Sequence, residues 1–526
     1  MHRSPFRLQS YWVLTLISKL KYQEEMKTKK IISWAVALCM GVMLHSCDLD
    51  QKVFSSLTNS NFPQTVEDID ALVIGMYANF KANSGGVYDG SNDGWTMPIY
   101  ASGDGWWAYS EFTSDEMMHQ SNQTYKFNWS GAWDTYGTYS ISRNITRCTF
   151  ILDQLEKVGG LPEAAKAQKI AEVKTLRAWL MFCFYDLYGP VSCVLEPEGL
   201  SNIVYTPRPT KEVYFNRMVS DLQEALPYLY DKTNGTENWG RVNKGIATML
   251  LMKAYMNDHQ YDKALPYAES MKTMGYTLSE DYKDVFSNEM NDETVWAVPG
   301  GELAGNEYAY YLFPPNCITF GKNFEHKACP THRWGGYLMP WDFYDTYDKA
   351  DARLEVIADS YKDADGTLYT RPGGGGASDD RIQQGAIPVK YLVAPEKYAS
   401  GNTHIVAFRY ADVLLSLAEI ENELNGPTDK ALGYLKQITD RVGVTHTIPA
   451  DIQSSKEKFK EFLLMERGRE LFMEGWRRQD LIRFGKYIEF ARNRGCTAAK
   501  DHMVLFPIPP KVITESGGVI EQNPGY

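Results

Sequence analysis

Cysteine is sparse in this chain, 8 in 526 residues, and no Cys-x-x-Cys pair occurs. A disulfide-built scaffold is therefore excluded, although a bridge or two among Cys148, Cys183, Cys193, Cys317, Cys329 and Cys496 stays open in an oxidising compartment. Basic residues are in deficit, 54 against 66 acidic ones, for a net charge of −12. Nucleic-acid binding needs a basic face to displace counterions, so no nucleic-acid partner is expected. His-Glu-x-x-His, Gly-x-Ser-x-Gly and the phosphate-cradling Gly-rich loop are all missing, which removes the motif basis for a metalloprotease, a serine hydrolase or a nucleotide hydrolase. His326, Cys329 and His332 offer three metal-ligand types at close spacing without a fourth. No metal site and no cofactor is expected, with calcium left open. Beyond Leu44 no uncharged run approaches the ~20 residues of a membrane-spanning helix.

What the chain does have begins with Lys27, Lys29 and Lys30, followed by an uncharged apolar run from Ile31 to Leu44. This is the basic and apolar layout of a secretory signal. Leu44-His45-Ser46-Cys47 ends it and resembles a bacterial lipobox, which implies lipidation of Cys47 as the mature N-terminus. More than one acyl chain on one cysteine anchors a protein stably, at ~0.8 kcal/mol per buried CH₂. Residues 1–46 are thus read as a leader, with Met26 a candidate start, and residues 47–62 as a lipidated polar linker.

From Pro63 the pattern is mainly α-helical. Ile69, Leu72, Val73 and Met76 recur at helical spacing. Further helices are expected over Trp133–Glu156, Pro162–Tyr188, Lys211–Tyr230, Asn243–Asn257, Tyr261–Met274, Arg409–Asn425, Thr428–Val442, Lys456–Glu474 and Arg478–Arg492. Two successive pairs share small residues at facing positions: Ala247 and Ala254 with Ala264 and Ala268, then Ala411 and Ala418 with Ala431. Such residues let helices approach closely, the basis of tetratricopeptide-like hairpin stacking. The expected regions are 63–290, helical with an aromatic loop at 85–112; 291–403, rich in loops; and 404–526, helical again. Glu466, Arg467, Glu470, Glu474, Arg477, Arg478, Asp480 and Arg483 alternate in sign among apolar residues. That pattern reads as a partly buried pairing network that fixes helix packing rather than as a catalytic cluster.

Several segments in order resemble the SusD/RagB family: EVKTLRAWLMFCFYDLYGPV (Glu172–Val191), GYTLSEDYKDVF (Gly275–Phe286), ETVWAV (Glu293–Val298), FRYADVLLSLAE (Phe408–Glu419), ERGRELFMEGWRRQDLIRFGK (Glu466–Lys486), LFPIPP (Leu505–Pro510) and QNPGY (Gln522–Tyr526). The resemblance implies a mainly α SusD-like fold on a tetratricopeptide-like scaffold, carried by a lipoprotein on the outer face of the outer membrane. It further implies capture of an oligosaccharide, or in some branches a peptide, for a SusC-type TonB-dependent barrel, without catalysis. Asp48 and Asp50 suit export to that face. A surface glycoside hydrolase is the alternative from another class, but acid pairs alone identify none, because its two carboxyls must flank one bond at fixed separation.

Aromatics make up 13% of the chain, and their placement suggests a site. Trp95, Trp106, Trp107 and Tyr109 lie among Gly, Ser and Asp in the 85–112 stretch, where neither helical nor strand periodicity accounts for them. A flat ring beside a polar group such as Asp104 suits a sugar, which shows C–H faces and a hydroxyl rim. At least one of these tryptophans is expected to anchor the loop instead. A second set is Tyr308, Tyr310, Tyr311, Trp334 and Tyr337 in the loop-rich middle. Thr113–Glu116 reads as a helix entry capped by Ser114 or Asp115.

Overall fold

The computed structural model describes residues 63, 65–81, 97–119, 123–201, 205–287, 290–298, 312, 314–320, 335–392, 404–444 and 448–526. All of them belong to one unit, Pro63–Tyr526. Cys47, the leader and the linker lie outside the described residues, as does the His326, Cys329 and His332 triplet.

Helix α1, Val66–Tyr77, starts from Thr65, whose hydroxyl accepts from the Asp68 N–H while the Asp68 carboxylate accepts from the Thr65 N–H, each at 3.1 Å. This reciprocal cap satisfies two donors that a helix start otherwise leaves open. Helix α2 is Trp106–Phe112. α3 is Arg143–Lys157 and α4 is Glu163–Tyr188. α4 stops where Gly189 takes φ 73°, a left-handed value that glycine adopts without cost, and Pro190 cannot continue the helix. α5, Lys211–Ala225, and α6, Lys244–Asn257, are capped by Thr210 and Asn243. α7 is Tyr261–Met271. The later block holds α8 Tyr410–Asn425, α9 Asp429–Arg441, α10 Lys456–Leu471, α11 Arg477–Arg483 and α12 Tyr487–Asn493. The expected Arg478–Arg492 helix is in fact two, broken where Gly485 takes φ 71°.

The hairpins form as the small residues require. α6 packs on α7 and α8 on α9, and α7 lies against α8. Ala247, Ala254, Ala264, Ala268, Ala411, Ala418 and Ala431 are all buried. The architecture is mainly α, with short strands grouped on the side of the loop-rich middle.

Those strands are β1 Met118–His119, β2 Thr294–Val298, β3 Cys317–Phe320, β4 Tyr337–Pro340, β5 Ile357–Ala358, β6 Ser360–Asp363, β7 Leu368–Thr370, β8 Gly385–Pro388 and β9 Ile405–Arg409. They form three antiparallel groups ordered β1-β4-β8-β5, β2-β9 and β3-β6-β7. Met118 faces Leu338 across β1 and β4, and Thr294 faces Arg409 across β2 and β9, so each pairing joins distant parts of the chain. Cys148, Cys183, Cys193 and Cys496 are free thiols. Among the described residues no helix is long and apolar enough to cross a membrane.

Candidate functional site

The aromatic segment expected to present rings to a ligand is largely core. Trp106 is 1%, Trp107 0% and Tyr109 3% exposed. Residues 106–112 form α2 rather than part of a loop, and every residue of the helix is buried. A helix buried all round shows no amphipathic period, so local pattern could not reveal it. Its partners come from the far end of the chain. Trp107 donates its indole N–H to the Met473 carbonyl at 3.3 Å, Trp106 packs edge-on to Trp476 at 5.3 Å, and Trp106 also donates to Asp186 at 2.8 Å. Gly475 is held at φ 86°, and a Cβ there would stand 2.9 Å from the Trp106 ring and 3.1 Å from that of Trp107. Only glycine lets this turn close on the two tryptophans.

Tyr337, 0% exposed, packs on Trp107 and Phe112 and donates its hydroxyl to the Ser102 carbonyl. Tyr109 lies edge-on to Trp133 at 5.3 Å and to Phe506 at 5.4 Å. The expectation that Trp106, Trp107, Tyr109 and Tyr337 face a ligand is therefore corrected: the first three pack α2 against residues 473–506, and Tyr337 packs the middle of the chain onto α2. Asp104 alone of the described first set is exposed, its carboxylate 3.4 Å from the Tyr109 hydroxyl. Trp95, Tyr308, Tyr310, Tyr311 and Trp334 lie outside the described residues. Ser114 is not a helix entry either; it follows α2 and donates to the Glu111 carbonyl at 2.7 Å, while Asp115 pairs with Arg477 at 2.7 Å.

The alternating charges of α10 and α11 are buried and paired. Arg409, fully buried, reaches Glu293 at 2.8 Å, Glu470 at 2.6 Å and Glu474 at 2.8 Å. Arg353 joins Asp351 and Glu466, each at 2.7 Å, and Arg467 joins Asp480 at 2.8 Å and Asp412 at 2.9 Å. Burial alone would raise the Glu470 carboxyl, but Arg441, Arg409 and Arg353 override it and hold the group well below the usual range. Two other carboxyls go the opposite way. Burial pushes Glu111 up to about 8 and raises Glu116 beside it well above its usual value. Burial likewise pulls the Lys390 ammonium down to about 8, against the attraction of Glu474. An acid pair of raised pKa suggests a catalytic dyad, but Glu111, on α2, and Glu116, just after it, are both fully buried.

An open aromatic face does exist, on residues outside both expected sets. Trp341, half-buried, closes the stretch HRWGGYLMPW and donates its indole N–H to the Ile382 carbonyl at 3.0 Å. Tyr344 stands edge-on to it at 5.3 Å, and the Arg371 guanidinium lies over its ring at 4.4 Å. Arg371 is in turn held by both Asp345 oxygens at 2.7 and 2.9 Å, and that bond keeps the Asp345 carboxyl below the usual range. Two residues before Arg371, Tyr369 on β7 stacks on Tyr361 of β6 at 4.8 Å and 9°. The Tyr369 hydroxyl donates to Asp363 at 3.1 Å, and Tyr361 donates to Asn316 at 3.3 Å. Rings beside fixed donors and acceptors can take both the faces and the rim of a polyhydroxylated ligand. The signal for the tyrosine pair was present, since Asp365-Gly366 is a hairpin turn that sets Tyr361 opposite Tyr369.

The same fold occurs in proteins of known structure. The structure matches that of surface glycan-binding protein A from Bacteroides thetaiotaomicron in complex with laminarihexaose, with a TM-score of 0.68 and 19% identity over 88% of this chain and all of the other. In sequence, the SusD-like protein P25 of Formosa agariphila is 25% identical over 91% of this chain and 97% of its own length. The starch-binding protein SusD of Bacteroides thetaiotaomicron is 24% identical over 73% of this chain and 77% of its own. Over residues 341–526 the chain is similar to the SusD family, and SusD-like relatives align with most of its length.

Proposed function

We propose that this protein is a cell-surface glycan-binding lipoprotein, anchored to the outer membrane through Cys47, that captures an oligosaccharide and passes it unaltered to a SusC-type TonB-dependent transporter. The observation that carries the reading is similarity to the SusD family, since relatives of this fold and sequence are named for starch and glycan binding. The Trp341, Tyr344, Arg371 and Tyr369 face supplies chemistry that such a ligand needs. Asp345 on that face is held below the usual carboxylate range by Arg371 and is a poor proton donor, which favours binding over cleavage there, since a hydrolase needs a raised acid beside a second carboxylate.

The test is a combined glycan and peptide array on the purified protein, followed by calorimetry on the glycan retained. Trp341→Ala is expected to weaken binding about tenfold, ~1.4 kcal/mol, with no product released from the glycan. Retention of peptides alone would replace the glycan reading with peptide capture, and glycan shortening would replace binding with hydrolysis. Co-purification of a TonB-dependent barrel with the lipidated protein, lost in Cys47→Ala cells, tests anchoring and partnership together.

A further inference from the structure

The cation that meets the rings of the Trp341 face is Arg371, and its charge is already neutralised. Its guanidinium lies over Trp341 at 4.4 Å, while Nη1 and Nη2 donate to the two Asp345 oxygens at 2.7 and 2.9 Å. The pair stands open, Arg371 37% and Asp345 52% exposed, so Asp345 competes with any ligand that reaches the guanidinium. The remaining Nε edge can donate to a hydroxyl or to a carboxylate alike. What decides between them is the charge around it.

That charge is negative. Asp359 is exposed and accepts from the Ser360 hydroxyl at 2.9 Å. It also faces Tyr344, whose hydroxyl is pushed up to about 12 by burial first and by Asp359 next. Asp363 accepts from the Tyr369 hydroxyl at 3.1 Å and from the Thr367 N–H at 2.9 Å. Lys362 and Arg381 do not offset these acids. Lys362 alternates with Tyr361 and Asp363 along β6 and sits opposite Leu368 on the other side of the hairpin, and Arg381 pairs with Asp379 at 3.6 Å. With Arg371 cancelled by Asp345, Asp359 and Asp363 are left without a paired cation among the described residues.

We propose that the Trp341 face selects neutral glycans against those that carry carboxylate or sulfate groups, and that Asp345 sets this preference by occupying the cation an anionic ligand would need. The preference rests on the glycan reading of the same face and narrows it to uncharged chains.

The probes are cellohexaose, maltohexaose and mannohexaose, each compared by calorimetry with the same chain after oxidation of its primary hydroxyls to carboxylates, which matches linkage and length. Where a neutral chain binds, its oxidised form should bind at least about tenfold more weakly. Asp345→Asn should narrow that gap at least about threefold, and Asp359→Asn should narrow it by less. Raising the salt to about 1 M, where the screening length falls to about 3 Å, should shrink the gap in the unaltered protein. A second measurement needs no glycan. The fluorescence lost in Trp341→Phe isolates that indole, and its quenching by iodide relative to acrylamide should rise at least about twofold in Asp345→Asn as the face becomes less negative. If none of the six chains binds, the quenching ratio alone decides whether Asp345 excludes anions, and the array decides the glycan reading. The proposal is overturned if an oxidised chain binds as tightly as its neutral parent, if Asp345→Asn leaves the gap unchanged, or if iodide quenches Trp341 equally well with and without the Asp345 charge.

Discussion

Two regions of this molecule are built from the same residue types and do opposite things. In one, Trp106 and Trp107 meet Glu111, Gly475 and Trp476 in a sealed seam. In the other, Trp341 and Tyr344 meet Arg371 and Asp345 at an open surface. Aromatic rings among acids and glycines describe both. What separates them is the origin of the partners: those of Trp341 lie within about forty residues, at Tyr344, Arg371 and Ile382, whereas Trp107 bonds to Met473, 366 positions away. A ring whose partners are distant in sequence belongs to the frame, whatever its immediate neighbours suggest.

The comparison breaks first at the charges that support the seam. Arg409→Met leaves Glu293, Glu470 and Glu474 without their shared cation and should cost the upper end of ~3–5 kcal/mol, read as a lowered urea midpoint. Trp107→Ala should cost about 3–5 kcal/mol of stability through the cavity it leaves. Glycan affinity of the folded fraction should not change, and a loss of affinity at unchanged stability would return Trp107 to the ligand face.

The pH dependence sharpens the contrast further. The folded pKa of Glu111 stands above its ordinary 4.5, at about 8. Its contribution to stability is therefore complete below pH 4.5 and is lost as pH rises to about 8. Glu111→Gln should flatten that slope by about 2–3 kcal/mol across the window, at 1.36 kcal/mol per unit less the share offset by its neighbours. Glu470 and Asp412 carry the opposite sign, because their cations hold them low. Their stabilisation is present above their ordinary range and disappears as acid protonates them. Trp341→Ala comes last in size, with less than about 1 kcal/mol of stability lost at a half-buried position, although it carries the largest expected loss of affinity.

The helical frame was legible where the signals are local. The Tyr188-Gly189-Pro190 stop ends α4, the alanines mark the paired helices, and the sign alternation of α10 and α11 announced pairing. The partners of those charges were not legible, because Glu293, Arg353 and Arg441 reach them from other elements. α2 was missed for a related reason. Its seven residues are all buried, so no polar face marks its period, and its rings read as loop aromatics until Met473 and Trp476 are seen against them. The Trp341 face is not visible in local pattern, because Arg371 and Ile382 reach its tryptophan from thirty to forty residues on, and only the Asp365-Gly366 hairpin that aligns Tyr361 with Tyr369 leaves a sequence signal.

The docking of α2 on the turn at Gly475 also orders events in time. A chain emerging from its N-terminus exposes Trp106 and Trp107 long before the residues that cover them have been made. Until nearly the last fifty residues arrive, two indoles stay uncovered on a partly finished body, a stretch during which transiently bare apolar surface invites aggregation. Closing so long a contact is intrinsically slow, so a shielding companion during synthesis would spare this protein more than it would one stitched from neighbouring segments.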